Sequence, residues 1–430
     1  MTETTITHDR SCAEGAAASA VTRRSLLKAI GVGTVAIAAG PMVGMRAAFA
    51  ADPGWTGDTL VVLSLRGGFD GLSAIAPIGD PAYAVWRPGI AVPSAAAFQL
   101  DPMFGMHPGL AALQPLWTAG KLGFVHAAGM SAPNRSHFSA MDEMERAAPG
   151  TNARTGWLDR TVGLHAAGGP FGAVQMGSSS IPESLVGPVP VLGMDSIGRF
   201  ALANSGSTPA SRAKWGTVLT ALHDAAPPGL QDAAAVTVSA LDTAAALKAA
   251  GYTPANGAVY PNSDVANALK NAAQLIKANV GLRVLTIDLG DWDMHAGLGT
   301  VSNGWMHDKL VDLGGSLAAF AKDLGTFLDT TTLVTISEFG RRVEENQSGG
   351  VDHGWGNVMM VLGGHVVPSV HGTWPGLDKS LLTNGDLTVT TDYRAVLADI
   401  LVNRTGATTA QVKEVFPSYD GTTIGITTAA

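Results

Sequence analysis

The 430-residue chain has one cysteine, Cys12, and it falls in a stretch that reads as a removed leader. The remaining chain therefore has no disulfide and no thiolate. Any metal site must use His, Asp, Glu or hydroxyl oxygen. Charged residues are sparse, at 14 %. No second apolar run approaches the roughly 20 residues needed to cross a bilayer. There is no internal repeat, so no solenoid, and no low-complexity tail. An excess of basic charge is also missing. Removing residues 1–50 takes away five basic and three acidic residues, leaving 22 and 32 and a formal charge of −10. That balance argues against nucleic acid as a partner.

What is present begins with an export signal. Thr22-Arg23-Arg24-Ser25-Leu26-Leu27-Lys28 is a twin-arginine motif, followed by a modestly apolar run over 29–39. Ala48-Phe49-Ala50 supplies an A-x-A cleavage site. The apolar run is short and rich in Gly and Ala, which fits a signal peptide and not an anchor. Residues 1–50 are expected to be the signal and 51–430 a single mature domain. The partner implied is the twin-arginine export machinery, and the destination is the periplasm or the exterior.

Buried strands are expected at 60–65, 122–127, 283–289, 332–336 and 358–362, with a weaker one at 171–176. A helix is expected from Ser136. Leu310, Leu313, Leu317, Phe320, Leu324 and Phe327 recur in steps of three and four and mark the clearest helix. An Ala-rich stretch at about 205–280 reads as a helical insertion. Strands alternating with helices predict an α/β fold: a three-layer α/β/α sandwich with a mainly parallel sheet.

Three segments then concentrate carboxylates and imidazoles beside strands. They are Asp291-Trp292-Asp293-Met294-His295, Ser337-Glu338-Phe339-Gly340-Arg341-Arg342 and Asp352-His353-Gly354. Chemistry in an open α/β sheet collects outside the strands' carboxyl ends. Carboxylate with imidazole suits a divalent metal, Zn²⁺ or Mn²⁺ above others. Asp70, in the Gly-rich turn after the first strand, either joins that site or bonds its own backbone. Ser136 is either a nucleophile or a helix cap bonding the N–H of Phe138 or Ser139. His137 opens the helix, where the dipole disfavours its cationic form, so a ligand or hydrogen-bond role fits. Arg341 either clasps an anion or pairs with a nearby carboxylate. His107 and His126 lie where they can approach the same edge.

Leu65-Arg66-Gly67-Gly68-Phe69-Asp70-Gly71, Arg135-Ser136-His137-Phe138, Trp292-Asp293-Met294-His295, Ser337-Glu338-Phe339-Gly340-Arg341, Asp352-His353-Gly354 and Trp374-Pro375-Gly376-Leu377 occur in this order. Together they resemble the exported bacterial "domain of unknown function 1501" family, over nearly the whole mature chain. That family is similar in layout to the alkaline phosphatase and sulfatase superfamily. The resemblance implies metal ligands at Asp70, at Asp291 or Asp293, and at His295, Glu338, Asp352 and His353. It implies a hydroxyl nucleophile at Ser131 or Ser136. Phe339 stands where the superfamily has an imidazole, which implies one metal or a different pair. The expected function is metal-dependent hydrolysis of phosphate or sulfate esters, with a metal-activated serine or water as nucleophile and Arg341 and His137 assisting. The alternative is a non-catalytic exported protein that binds an anionic or sugar ligand. Metal content and an ester panel separate the two.

Overall fold

The computed structural model describes residues 35–36, 57–165, 169–201, 208–224 and 226–429. The export motif at 22–28 and the cleavage site at 48–50 lie outside the described residues. The central sheet is built on β1 (Thr59–Leu65), β2 (Leu122–Gly129), β3 (Ala173–Met176), β4 (Val191–Met194), β5 (Val284–Leu289), β6 (Thr331–Ile336) and β7 (Asn357–Gly363). Their spatial order is β4-β3-β5-β1-β6-β7-β2. The first five run parallel to their neighbours. Of these seven strands β7 alone is reversed, antiparallel to both β6 and β2. Val370–His371 and Thr391–Asp392 pair parallel to β2, and Val35–Ala36 pairs antiparallel to β4.

The pleat of β1 sends alternate side chains to opposite faces. Leu60 and Val62 join Val284, Val334 and Ile336 in one core. Val61, Leu63 and Leu65 join Leu285, Ile287 and Leu333 in the other. Both faces are therefore covered, which is why the strands read as continuous apolar runs. The first face packs α1 (His137–Arg146) through Ala140 and Met144. The second packs an Asp264–Lys277 helix and a Trp305–Leu324 helix, the latter through Leu310, Leu313, Leu317, Phe320 and Leu324. Each buried leucine contributes about 2 kcal/mol by removal from water.

The long helix stops at Leu324 because Gly325 takes φ +56°. The chain tightens into a 3₁₀ turn there, leaving Phe327 half-exposed outside the helical stripe. The stretch at 205–280 holds three helices: Pro209–His223, Pro228–Ala250 and Asp264–Lys277. The third covers the sheet, and the second reaches the core through Ala240, Ala244 and Leu247. The Tyr393–Thr405 helix, not expected from the sequence, covers the α1 side with Val396, Leu397, Ile400 and Leu401. Among the described residues no helix is long and apolar enough to cross a membrane. The architecture is α/β in three layers with a mostly parallel sheet.

Candidate metal centre

Parallel strands β1, β5, β6 and β2 all end at one sheet edge. Their following loops begin at Arg66, Gly290, Ser337 and Met130. Because β7 is reversed, its start lies at that edge too. His353, four residues before Asn357, is thereby brought to the same place.

Three imidazoles meet there through the same ring nitrogen. His353 Nε2 is 2.9 Å from His137 Nε2 and 3.0 Å from His295 Nε2. Asp293 closes the set: its Oδ1 is 3.0 Å from His295 Nε2 and 3.2 Å from His353 Nε2, and its Oδ2 is 3.5 Å from His137 Nε2. Each Nδ1, in contrast, faces an acceptor. His137 Nδ1 meets Glu338 Oε1 at 2.7 Å, His295 Nδ1 meets Asp352 Oδ1 at 2.8 Å, and His353 Nδ1 meets the Arg135 carbonyl at 2.9 Å. In the neutral rings the proton sits on Nδ1, so three Nε2 lone pairs converge beside a carboxylate. Lone pairs at that spacing repel unless a cation lies among them. This is the pattern by which proteins orient metal-binding histidines.

Burial works against the charge of Asp293, but the Arg341 guanidinium, by its hydrogen bond and its charge, outweighs it and holds the carboxyl at about 2. The hydrogen bond from His295 holds Asp352 below the usual carboxylate range. Burial pushes the His353 imidazole down, favouring the neutral ring that a cation needs.

The remaining expected residues are placed differently. Glu338 and Asp352 touch Nδ1 atoms and orient rings from behind. Asp291 is almost wholly exposed, with Lys309 Nζ at 4.0 Å; its φ of +64° sends the side chain away while Asp293 turns inward. Asp70 stands apart as a buried partner of Arg87. Its Oδ2 accepts from Arg87 Nη1 at 2.6 Å and from Ser73 Oγ at 2.6 Å, and its Oδ1 accepts from Arg87 Nη2 at 2.9 Å. Ser131 is exposed. Ser136 is the N-cap residue of α1, but its hydroxyl makes no capping bond.

Arg341 is buried beneath the centre. Nε donates to the Gly68 carbonyl at 2.6 Å, Nη1 to that of Val351 at 3.0 Å, and Nη2 to those of Gly67 and Trp292 and to Asp293 Oδ1 at 2.7 Å. It therefore has no exposed face for an anion. Phe339 lies against the rings of His137 and His353, each centroid 4.8 Å away. An apolar ring fills that side of the cluster, which leaves one constellation of ligands. The Gly-rich turn provides main chain and no ligand: the Gly67 N–H donates to Glu338 Oε1 at 2.8 Å. Gly67 has φ +113°, and a Cβ there would lie 2.9 Å from the Asp293 nitrogen, so only glycine fits.

Residues 117–427 match the family model described as "Protein of unknown function (DUF1501)". The chain belongs to that family. The span matched in this DUF1501 protein holds His137, Asp293, His295, Glu338, Arg341, Asp352 and His353 and omits the Gly67 turn. No curated protein matches the chain. Among solved structures, the lipoteichoic acid synthase LtaP from Listeria monocytogenes aligns at 9 % identity and TM-score 0.26, over 78 % of this chain and 74 % of that one. A likeness that slight says nothing about chemistry.

His126 and His107 do not enter the centre. His126 Nε2 donates to the Ile75 carbonyl at 2.9 Å, and Nδ1 accepts from the Ala127 N–H at 3.0 Å. Its ring is buried, which pushes the imidazole down to about 4. His107, whose Nδ1 accepts from the Gly109 N–H, is likewise pushed to about 4 by burial. Between the unfolded value near 6.5 and 4, the unfolded chain binds the proton and the folded chain does not. Stability is therefore full above about pH 6.5 and falls as acid is added, by about 3 kcal/mol for His126 alone. Urea titrations at pH 7 and 4.5 should show His126→Asn losing less stability than wild type over that interval. Equal losses would remove His126 as the cause.

Proposed function

We propose that this DUF1501 protein is a metal-dependent hydrolase of small anionic esters, phosphate or sulfate. One divalent ion, Zn²⁺ or Mn²⁺, would be held by His137, Asp293 and His353, whose ligand atoms lie within 4.8 Å of one another, with His295 beside them. The observation that carries the reading is the convergence of three Nε2 atoms on one carboxylate, with every Nδ1 already bonded. Two nitrogens and one oxygen, with a position left open, suit either ion. When bound, the ion supplies Lewis acidity to an ester oxygen. The chain's own groups do the rest. Glu338, Asp352 and the Arg135 carbonyl fix the rings. The start of α1 opens at the centre with no side-chain cap, and its N–H groups favour an anion there. Ser136, the exposed residue before His137, has a hydroxyl that makes no capping bond and is the candidate nucleophile.

One observation favours the second reading, an exported protein that binds an anion or sugar without turnover. Arg135 and Arg341 are engaged with carboxylates of the protein, and Arg342 Nη1 donates to the Asn384 carbonyl. No guanidinium among these three is left to neutralise a leaving group. Elemental analysis of mature protein should find about one Zn²⁺ or Mn²⁺ per chain. The loaded protein should then hydrolyse members of a phosphate and sulfate ester panel, and Ser136→Ala should be slower. Absence of metal after reconstitution would end both the metal and the hydrolase readings. Metal with no turnover would leave the binding protein.

Export by the twin-arginine route to the periplasm or the exterior belongs to the same proposal, supported by the order of motif, apolar run and A-x-A site. Arg23→Lys with Arg24→Lys should leave the uncleaved chain inside the cell. Fractionation showing normal cleavage and export of that double variant would refute it.

A further inference from the structure

We propose that Asp386 is a positioning residue for the metal centre, a buried carboxylate that sets where His137 and His353 sit. The inference rests on the metal reading above. Asp386 is fully buried, yet it lies 33 residues beyond His353, and its side chain meets Arg135 and Arg342 and not the histidines of the cluster. Its Oδ2 accepts from Arg135 Nε at 3.0 Å and also from Arg135 Nη2. Its Oδ1 has no hydrogen-bond partner and faces Arg342 Nε at 3.8 Å.

These two arginines belong to the two arms that build the centre. Arg135 lies two residues before His137, and its carbonyl takes the Nδ1 proton of His353. The Arg342 N–H donates to the Asp352 carbonyl at 2.9 Å, next to His353. The 131–136 arm is mostly exposed and contributes no residue to the apolar cores, so side-chain bonds must place it. One carboxylate therefore ties both arms with a pair of cations.

The local chain is built to present that carboxylate. Thr383 and Asp386 exchange backbone bonds, each at 3.0 Å, across Asn384 and Gly385. Both central residues have positive φ, +55° and +84°, as an Asn-Gly hairpin turn requires. A Cβ on Gly385 would lie 2.4 Å from Arg342 Nη1. Glycine there thus serves the turn and lets Arg342 lie over it. Burying a carboxylate is unfavourable without a partner, and Arg135 supplies a two-nitrogen fork.

The test uses mature protein with Zn²⁺ alone as probe. Affinity is read by chelator competition in wild type, Asp386→Asn, Arg135→Gln and the double variant, and amide hydrogen exchange is read over residues 130–139. Each single change should weaken Zn²⁺ by about 10–100-fold, as loss of ligand-orienting partners does. The double variant should be no weaker than the worse single, because both break one clamp. Exchange over 130–139 should quicken while β1 and β6 stay protected. Arg135 is partly exposed, so Arg135→Gln remains informative if Asp386→Asn does not fold. Zn²⁺ affinity within about two-fold of wild type in the folded variants, or additive losses, would overturn the proposal. If wild type takes no Zn²⁺, the metal reading fails by itself, and unchanged exchange over 130–139 would still overturn the clamp.

Discussion

His353→Ala should weaken Zn²⁺ binding by more than about 100-fold and abolish the rise in unfolding temperature that metal brings. His353 is central to the cluster, with Nε2 within 3.2 Å of His137, His295 and Asp293. Its removal takes one of the three proposed ligands and leaves the others without their common neighbour. Glu338→Gln is a graded comparison. Glu338 touches the Nδ1 side of His137 and not the convergent lone pairs, so its loss should cost about 10–100-fold. A ligand saturated a thousand-fold above its dissociation constant stabilises the fold by about 4 kcal/mol, which a thermal scan reads easily. In the unloaded state His353→Ala should be no less stable than wild type, because it removes a lone pair from a crowded set. His371→Ala, at a ring outside the cluster, should behave as wild type in both measurements. Metal binding of His353→Ala equal to wild type would show that the convergence is hydrogen bonding alone.

Much of this centre is legible in the sequence because strand ends are legible. Continuous apolar runs locate β1, β5 and β6, and a parallel sheet brings the residues after them together, so Asp293, His295 and Glu338 follow. His353 is harder. It precedes a strand, and only the reversal of β7 puts it at the edge. Runs such as residues 357–363 are equally apolar in either direction, so periodicity carries no sign of that reversal. The choice between Asp291 and Asp293 turns on one φ angle, which residue type does not announce. Asp70 shows the opposite failure. The Gly-rich turn marks it as a site residue, but its partner Arg87 lies 17 residues on, in a stretch that no motif marks. The Asn384-Gly385 turn is a strong local signal, but what it aims Asp386 at is settled by contacts 251 residues away. The four-residue strand β4 and the Tyr393–Thr405 helix, buried nearly all round, lack the periodic contrast that would reveal them.

Arg341→Met should destabilise the unloaded protein by about 3–5 kcal/mol, more than any single loss at the exposed face of the centre. Two roles for this residue make opposite forecasts. A guanidinium that clasps a substrate anion is dispensable to the fold, and its removal would raise KM while leaving stability near wild type. The contacts favour the other role. Arg341 is shielded from solvent and donates to carbonyls on three separate loops: Gly67 and Gly68 after β1, Trp292 after β5, and Val351 before β7. It also holds Asp293 Oδ1 in line with the histidines. Methionine fills similar volume but offers no donor, so four buried carbonyls lose a bond and Asp293 loses its cation. Arg341→Lys retains charge but not the planar fork and should fall between the two. Urea unfolding of metal-free protein separates the roles. A loss below about 1 kcal/mol for Arg341→Met would return Arg341 to the anion-binding role, since a surface contact is worth no more than that.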